Sequence, residues 1–350
     1  MTIEPCSTKK RATPSIGRLF TDNRLGAWRL FVQAAFFVFT IYLGYRFLLF
    51  FRWATGASEQ FSPRPPGVEG FLPISALLSL KRLVLTGQYD SIHPAGLTIF
   101  LAALAMGLFL RKGFCGWLCP VGFASQLAER LGRRLKILVT LPAWLAYPLQ
   151  ALKYLLLAFF CYVILWQMNL AEIEAFQTMP YNLVADGKML LFFLEPSRLA
   201  GGILIFLLLI SLVIPNFWCR FLCPYGGLLG LTALLSPLRI RRQPATCINC
   251  QRCDRVCPGR IKVSQRQQVL SAECIGCLEC VARCPVENCL TLTAPGAKKL
   301  PAVLLPLGVV GLFIAFYLVA LLTGHWHSTV TPQTFKQNYA ILRQLGHPPM

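Results

Sequence analysis

Five stretches of this chain are too long and too apolar to be left in water, and they decide what it can become. They run from Trp28 to Phe51, Pro94 to Leu110, Pro142 to Asn169, Arg198 to Phe217 and Pro301 to Gly324. Crossing ~30 Å of hydrocarbon takes about 20 apolar residues at 1.5 Å each. In lipid the backbone must satisfy its own hydrogen bonds, so each stretch is expected to be a helix. The second is short and the third long, which leaves their ends soft. Composition agrees, since 55% of the 350 residues are hydrophobic and only 14% charged, against roughly 25% in soluble domains.

A formal charge of +20 invites a nucleic-acid reading, but its distribution argues otherwise. Segments 1–29, 111–136 and 218–300 hold 24 of the 34 Lys and Arg against 7 of the 14 acids. The intervening segments 52–94, 169–198 and 324–350 hold 8 basic residues against 7 acids. Alternating basic and balanced loops are the positive-inside pattern. It makes membrane lipid the partner, excludes nucleic acid, and predicts a multi-pass protein of the bacterial inner membrane. The basic segment 1–27 and the large loop after the fourth span then lie in the cytoplasm, and the tail 325–350 in the periplasm. The long basic lead with no small-x-small site after its apolar core reads as a signal anchor. Arg46 and Lys153, near the ends of spans, read as snorkelling charges. Phe71–Leu85 and Lys188–Pro196 are apolar but too short to span, and read as interfacial or re-entrant.

Eight of the 15 cysteines form two runs. Cys247, Cys250, Cys253 and Cys257-Pro258 make the first, and Cys274, Cys277, Cys280 and Cys284-Pro285 the second. Each is C-x2-C-x2-C-x3-C-P, the bacterial ferredoxin spacing for [4Fe–4S] clusters. Three thiolates wrap one face of a cube, and the fourth, before a chain-reversing proline, reaches the other cube. One cluster is thus assigned to Cys247, Cys250, Cys253 and Cys284, the other to Cys274, Cys277, Cys280 and Cys257. Zinc prefers separated C-x2-C pairs, and disulfides do not suit a cytoplasmic loop. Residues 241–296 are therefore expected to form a small α+β two-cluster ferredoxin domain. It would sit between a four-helix region, 28–240, and a fifth helix within 297–324. Its arginines, Arg252 and Arg255 among them, suit an acidic carrier or anionic lipid, though positive-inside bias is the plainer reading.

Two further cysteine pairs repeat one another. Phe114–Gly122 reads FCGWLCPVG and Phe217–Gly226 reads FWCRFLCPYG. Pro120 and Pro224 suit the first turn of a helix, while Gly113 and Pro215-Asn216 suit the ends of the preceding spans. Each C-x-x-x-C pair then occupies an elbow between a span and a surface helix. Cys119 and Cys223 would lie at helix N-termini, where the dipole favours thiolate, with Lys112 and Arg220 pushing the same way. One pair offers too few ligands for a cubane. Cys115, Cys119, Cys219 and Cys223 together offer four, enough for a third cluster or a copper or zinc ion. A dithiol redox pair and plain packing are the alternatives.

Twin C-x-x-x-C-P elbows followed by a two-cluster head resemble the membrane polyferredoxin family, which includes NapH-, NosR- and CcoG-like proteins. The resemblance covers about Trp28 to Thr293. It implies electron transfer between the quinone pool, or a cytoplasmic ferredoxin-like donor, and a periplasmic cytochrome or reductase. It equally implies, as an alternative, copper reduction at the elbow thiols. On either reading the chain is a component of an oxidoreductase system rather than a stand-alone catalyst. Set against NosR-type members, no periplasmic flavin-binding domain is expected ahead of the first span, and against CcoG-type members a fifth span and a short outer tail are expected in place of an extracytoplasmic β-domain.

Weaker signals remain. His93, His325 and His327 lie at the outer ends of spans, where imidazoles ligate haem or copper, although an interfacial aromatic belt is the commoner explanation. Thr55–Ser58 (TGAS) loosely resembles a covalent-flavin acceptor motif, but lacks the usual upstream acid, so no flavin is expected at Ser58. Cys6, Cys161 and Cys289 have no partner pattern and read as unligated.

Overall fold

The computed structural model describes residues 16–346, with side-chain surroundings from Leu25 onward. Cys6 and much of segment 1–27 lie outside the described residues. In chain order come α1 (Ile16–Ala54), α2 (Pro73–Thr86), α3 (Pro94–Phe109), α4 (Pro120–Arg134), α5 (Ala143–Cys161), α6 (Leu170–Thr178), α7 (Pro180–Leu183), α8 (Ala185–Leu194), α9 (Arg198–Val213) and α10 (Pro224–Leu234). The head follows with β1 (Arg239–Arg242), α11 (Arg252–Arg255), β2 (Gln268–Val269), α12 (Glu279–Ala282), β3 (Leu290–Thr293) and β4 (Lys299–Leu300), before α13 (Leu304–Leu322) and α14 (Pro332–Ala340). Its four strands pair antiparallel in the order β2-β1-β3-β4, with Ile240 opposite both Val269 and Leu292. The sheet thus begins and closes slightly outside 241–296.

All five apolar stretches contain a helix. Three are long and apolar enough to cross a membrane: Leu25–Ala54, Ala143–Gln167 and Leu304–Leu322. α8 and α9 qualify only as a pair and meet at 77°, the bend of a broken span or a re-entrant loop. α3 has 16 residues, about 24 Å of helix and short of the ~30 Å core. Its surroundings explain how this is tolerated. α3 runs through the middle of the protein, enclosed by α2, α10 and α13, and Leu97, Ala103 and Met106 are fully buried. Gly107 lets α10 approach, because a methyl there would sit 2.3 Å from the Thr232 hydroxyl. α9 is the opposite case, apolar all round with no buried residue, as befits a helix facing lipid.

The α3 helix does not end at Gly113. It stops at Phe109, and Arg111 takes the left-handed turn with φ 62°. Gly113 instead has φ −60° and serves close packing, since a methyl there would lie 2.5 Å from Val309.

At the end of the helices away from the head, a buried polar cluster ties distant segments together. Arg64 donates to Asp186 at 2.7 Å and to Glu69 at 2.6 Å, and Tyr339 of α14 donates to Asp186 at 2.6 Å. Both carboxylates are fully buried, where an unpaired charge costs several kcal/mol.

Candidate iron–sulfur sites

The two elbows fold alike. Phe114–Leu118 and Trp218–Leu222 each form a single π-helical turn, a conformation frequent at functional sites. The Cys119 N–H donates to Phe114 O at 2.9 Å, and the Cys223 N–H to Trp218 O at 2.9 Å. Both cysteines are extended, with φ −64°, ψ 119° and φ −70°, ψ 104°, as a residue before proline prefers. Pro120 and Pro224 then open α4 and α10, with the cysteines as their N-caps. Cys223 Sγ accepts the Gly226 N–H at 3.2 Å.

Cys115, Cys119, Cys219 and Cys223 line one partly open cavity of about 670 Å³. Cys115 lies within electrostatic reach of Cys119 and Cys223, and Cys219 of Cys115 and Cys223. Lys112, Gln126, Arg220 and Tyr225 also line it, and Phe36, Phe39, Leu43, Phe71 and Tyr317 supply apolar wall. Among the described residues no three His, Cys, Asp or Glu converge as a single metal ion requires. Burial pushes the Cys115, Cys119 and Cys219 thiols up to about 12. At Cys119 desolvation therefore outweighs the N–H groups at the start of α4, which the sequence led one to expect would favour thiolate.

In the head, Cys257 lies beside Cys277 and Cys274, while Cys284 lies beside Cys250 and Cys247, and Cys253 beside Cys284. Each run therefore places its last cysteine with the other run's first three. Both loops coil the same way. Asn249 and Gln251 flank Cys250 with φ 53° and 56°, and Gly276 and Leu278 flank Cys277 with φ 62° and 59°. Such left-handed residues turn successive N–H groups inward, a nest that suits the negative charge of iron–sulfur sites. Cys289, which reads as unligated from sequence, is buried beside Cys247 and Cys284; its spacing gives no hint of this position.

The second cysteine loop sits directly on the first elbow. Trp117 Nε1 donates to Gly276 O at 3.1 Å. A methyl on Gly116 would lie 2.3 Å from Ile275 O, so only glycine admits this contact. Arg29 of α1 donates to Gly116 O at 3.1 Å, to Gln126 Oε1 at 2.8 Å and to Glu279 Oε1 at 3.0 Å. From α5, Lys153 meets Glu273 at 2.5 Å and is completely buried. Lys153 is thus not a snorkelling charge; it fastens the head to a membrane helix through the residue preceding Cys274. The first loop lies at the other edge, where Ile248, Arg252 and Arg255 are exposed.

The histidines sit elsewhere. His93 is buried, with Nδ1 3.2 Å from Arg64 Nη2 and Nε2 2.8 Å from Asn182 O, so both ring nitrogens are occupied. His325 contacts Thr323 Oγ1 at 2.9 Å and the Tyr89 ring, and His327 is exposed. Ser58 accepts the Gln60 N–H at 3.3 Å in the turn after α1.

A 4Fe-4S binding domain family matches residues 92–137 and again 199–243, one copy on each elbow, and a 4Fe-4S dicluster domain family matches residues 239–285. The chain is 40% identical over 328 residues to YccM of Escherichia coli, which is named for electron transport, covering 91% of this chain and 92% of that one. It is 30% identical to the ferredoxin-type protein NapH of Haemophilus influenzae, covering 55% and 67% respectively. Against NirI of Paracoccus denitrificans it is 31% identical, covering 61% of this chain and 31% of that protein. No solved structure matches it. Repeated elbows, dicluster head, apolar helices and a relative aligned along nearly the whole chain agree: the chain belongs to the membrane polyferredoxin family of iron–sulfur electron-transport proteins.

Proposed function

We propose that this protein is an inner-membrane electron carrier with three iron–sulfur sites in a row, its head and N-terminus cytoplasmic and its tail periplasmic. A [4Fe–4S] group supplies reversible one-electron storage when bound. Cys247, Cys250, Cys253 and Cys284 would hold one such group at the exposed edge of the head. Cys274, Cys277, Cys280 and Cys257 would hold a second where the head meets the bundle. Cys115, Cys119, Cys219 and Cys223 would hold a third between the elbows. One observation carries this reading: Gly116 and Trp117 bring the Ile275–Gly276 backbone into contact with the turn that bears Cys115 and Cys119. Side chains keep that alignment fixed. Arg29 and Lys153 each tie the head to a helix of the bundle, and Trp117 excludes water from the contact.

At the exposed edge, Arg252 and Arg255 suit an acidic ferredoxin-like donor. At the other end, the cavity extends beyond the four sulfurs between aromatic and aliphatic walls, a shape that suits a lipophilic quinone. The quinone pool, or a periplasmic cytochrome or reductase, would exchange electrons there. A cubane also fits four cysteines spread around a cavity better than a single copper ion does, because thiolate ligands to one ion must approach within about 2.3 Å of a common point. The test is iron and acid-labile sulfide per chain after anaerobic purification, compared with Cys115/Cys119/Cys219/Cys223→Ser. About twelve irons falling to about eight, by ligand count, is the expected result. About eight in both would remove the third site and leave the elbows to copper, thiol chemistry or packing.

A further inference from the structure

Each elbow sends one cation into the four-cysteine cavity, where Glu273 also lies, and among the described residues neither cation forms an ion pair with an acid. Lys112 and Arg220 both line the cavity and are buried, with 3% and 9% exposure. Among the described residues Lys112 makes no ion pair or side-chain hydrogen bond. Arg220 lies over the Phe221 ring at 4.8 Å, and its Nε is buried without an acceptor. The acids within reach are committed elsewhere: Glu273 to Lys153 at 2.5 Å, and Glu129 to Arg133 at 2.7 Å and Arg260 at 3.5 Å.

An uncompensated buried charge is among the costliest features a fold can carry. Two of them facing four cysteines make a site shaped for an anionic occupant. The repeat shows that this is more than a copied sequence. Lys112 stands three residues before Cys115, where the second elbow has Asn216; Arg220 follows Cys219, where the first elbow has Gly116. The cations come from non-equivalent positions and reach the same cavity.

We infer that Lys112 and Arg220 are the counter-charges of the elbow centre, stabilising its reduced form and raising its reduction potential; this rests on the elbow being a [4Fe–4S] site. Four thiolates outweigh the positive charge of a cubane core, and an added electron makes the whole more negative. A fixed cation nearby favours that state, most strongly where water is excluded. Lys153 differs in kind, because Glu273 already neutralises it.

The experiment is an EPR-monitored redox titration of the full-length protein in detergent, with iron counted on each sample. Lys112→Met and Arg220→Gln are compared with Lys112→Arg and Arg220→Lys, which keep the charge, and with Lys153→Met/Glu273→Gln, which removes a cation together with its acid. The expected result is a lower midpoint for the elbow signal in the two neutral variants, lower still when they are combined. The charge-keeping variants and the Lys153/Glu273 pair should stay near the wild-type midpoint, with head signals unmoved and iron at about twelve. An unmoved elbow midpoint with iron retained overturns the inference. So does an equal shift in Lys112→Met and Lys112→Arg, which would mark packing rather than charge. About eight irons in the unmutated protein would instead sink the three-site reading itself, before any variant is considered.

Discussion

Between the cysteines of the first elbow stand Gly116, Trp117 and Leu118; between those of the second stand Arg220, Phe221 and Leu222. The aromatic is fully buried in both, and the backbones follow the same π turn into the same extended cysteine and the same proline. What differs is what each elbow meets. Glycine at 116 opens the first to the head's backbone, and arginine at 220 turns the second toward the cavity. The helices feeding them differ as well: α3 is buried by its neighbours and α9 has no buried residue. The comparison teaches that the turn and its sulfurs are the shared unit, while the residues between them are assigned separately, one set to docking and the other to charge.

The strongest way to break that comparison is at the aromatic pair. Trp117→Ala removes both the largest fully buried side chain and the bond to Gly276, and is expected to cost about 3–5 kcal/mol and to loosen the head, read as faster proteolysis near residues 271–280. Phe221→Ala should destabilise without exposing those sites. Next, Lys153→Met leaves Glu273 without its partner. About 3 kcal/mol is expected in the denaturant midpoint, and Lys153→Met/Glu273→Gln should recover most of it. Gly116→Ala comes third, at roughly 1–3 kcal/mol from overpacking against Ile275 O. The glycines after the prolines divide more finely. A methyl on Gly122 would lie 2.8 Å from the Cys115 carbonyl oxygen, whereas on Gly226 its nearest neighbour is 3.5 Å away. Gly122→Ala is therefore expected to lower iron content, and Gly226→Ala to leave it unchanged. Least of all, Leu208→Ala on lipid-facing α9 should shift stability by under about 0.5 kcal/mol, and a larger loss would mean that α9 is covered by something.

What the sequence makes legible is what repeats or clusters locally. The ferredoxin runs, the twin elbows and the apolar stretches each announce themselves within a few residues. Pairings across the chain do not. Arg29 and Glu279 are 250 residues apart, and Lys153 and Glu273 are 120 apart, and no periodicity connects them. Lys153 therefore looks like any basic residue near a span's end, although it holds the head. The same blindness applies to Cys289, whose neighbour Cys247 arrives from another loop, and to the set of Arg64, Glu69, Asp186 and Tyr339. Local chemistry also misleads at Cys119, where the helix end favours thiolate but burial is the larger effect.

That last set has a consequence for how the protein is made. Its members lie at positions 64, 69, 186 and 339, on segments separated by every apolar stretch after the first. Asp186 receives the Tyr339 hydroxyl only after the final helix has been threaded and the tail has folded back onto α8. The bundle's far end therefore closes only after α13 is in place, and a chain that mis-inserts that helix is left with a half-answered carboxylate in an apolar setting. Such a chain carries its own mark of incompleteness, a buried charge only part of whose partners have arrived.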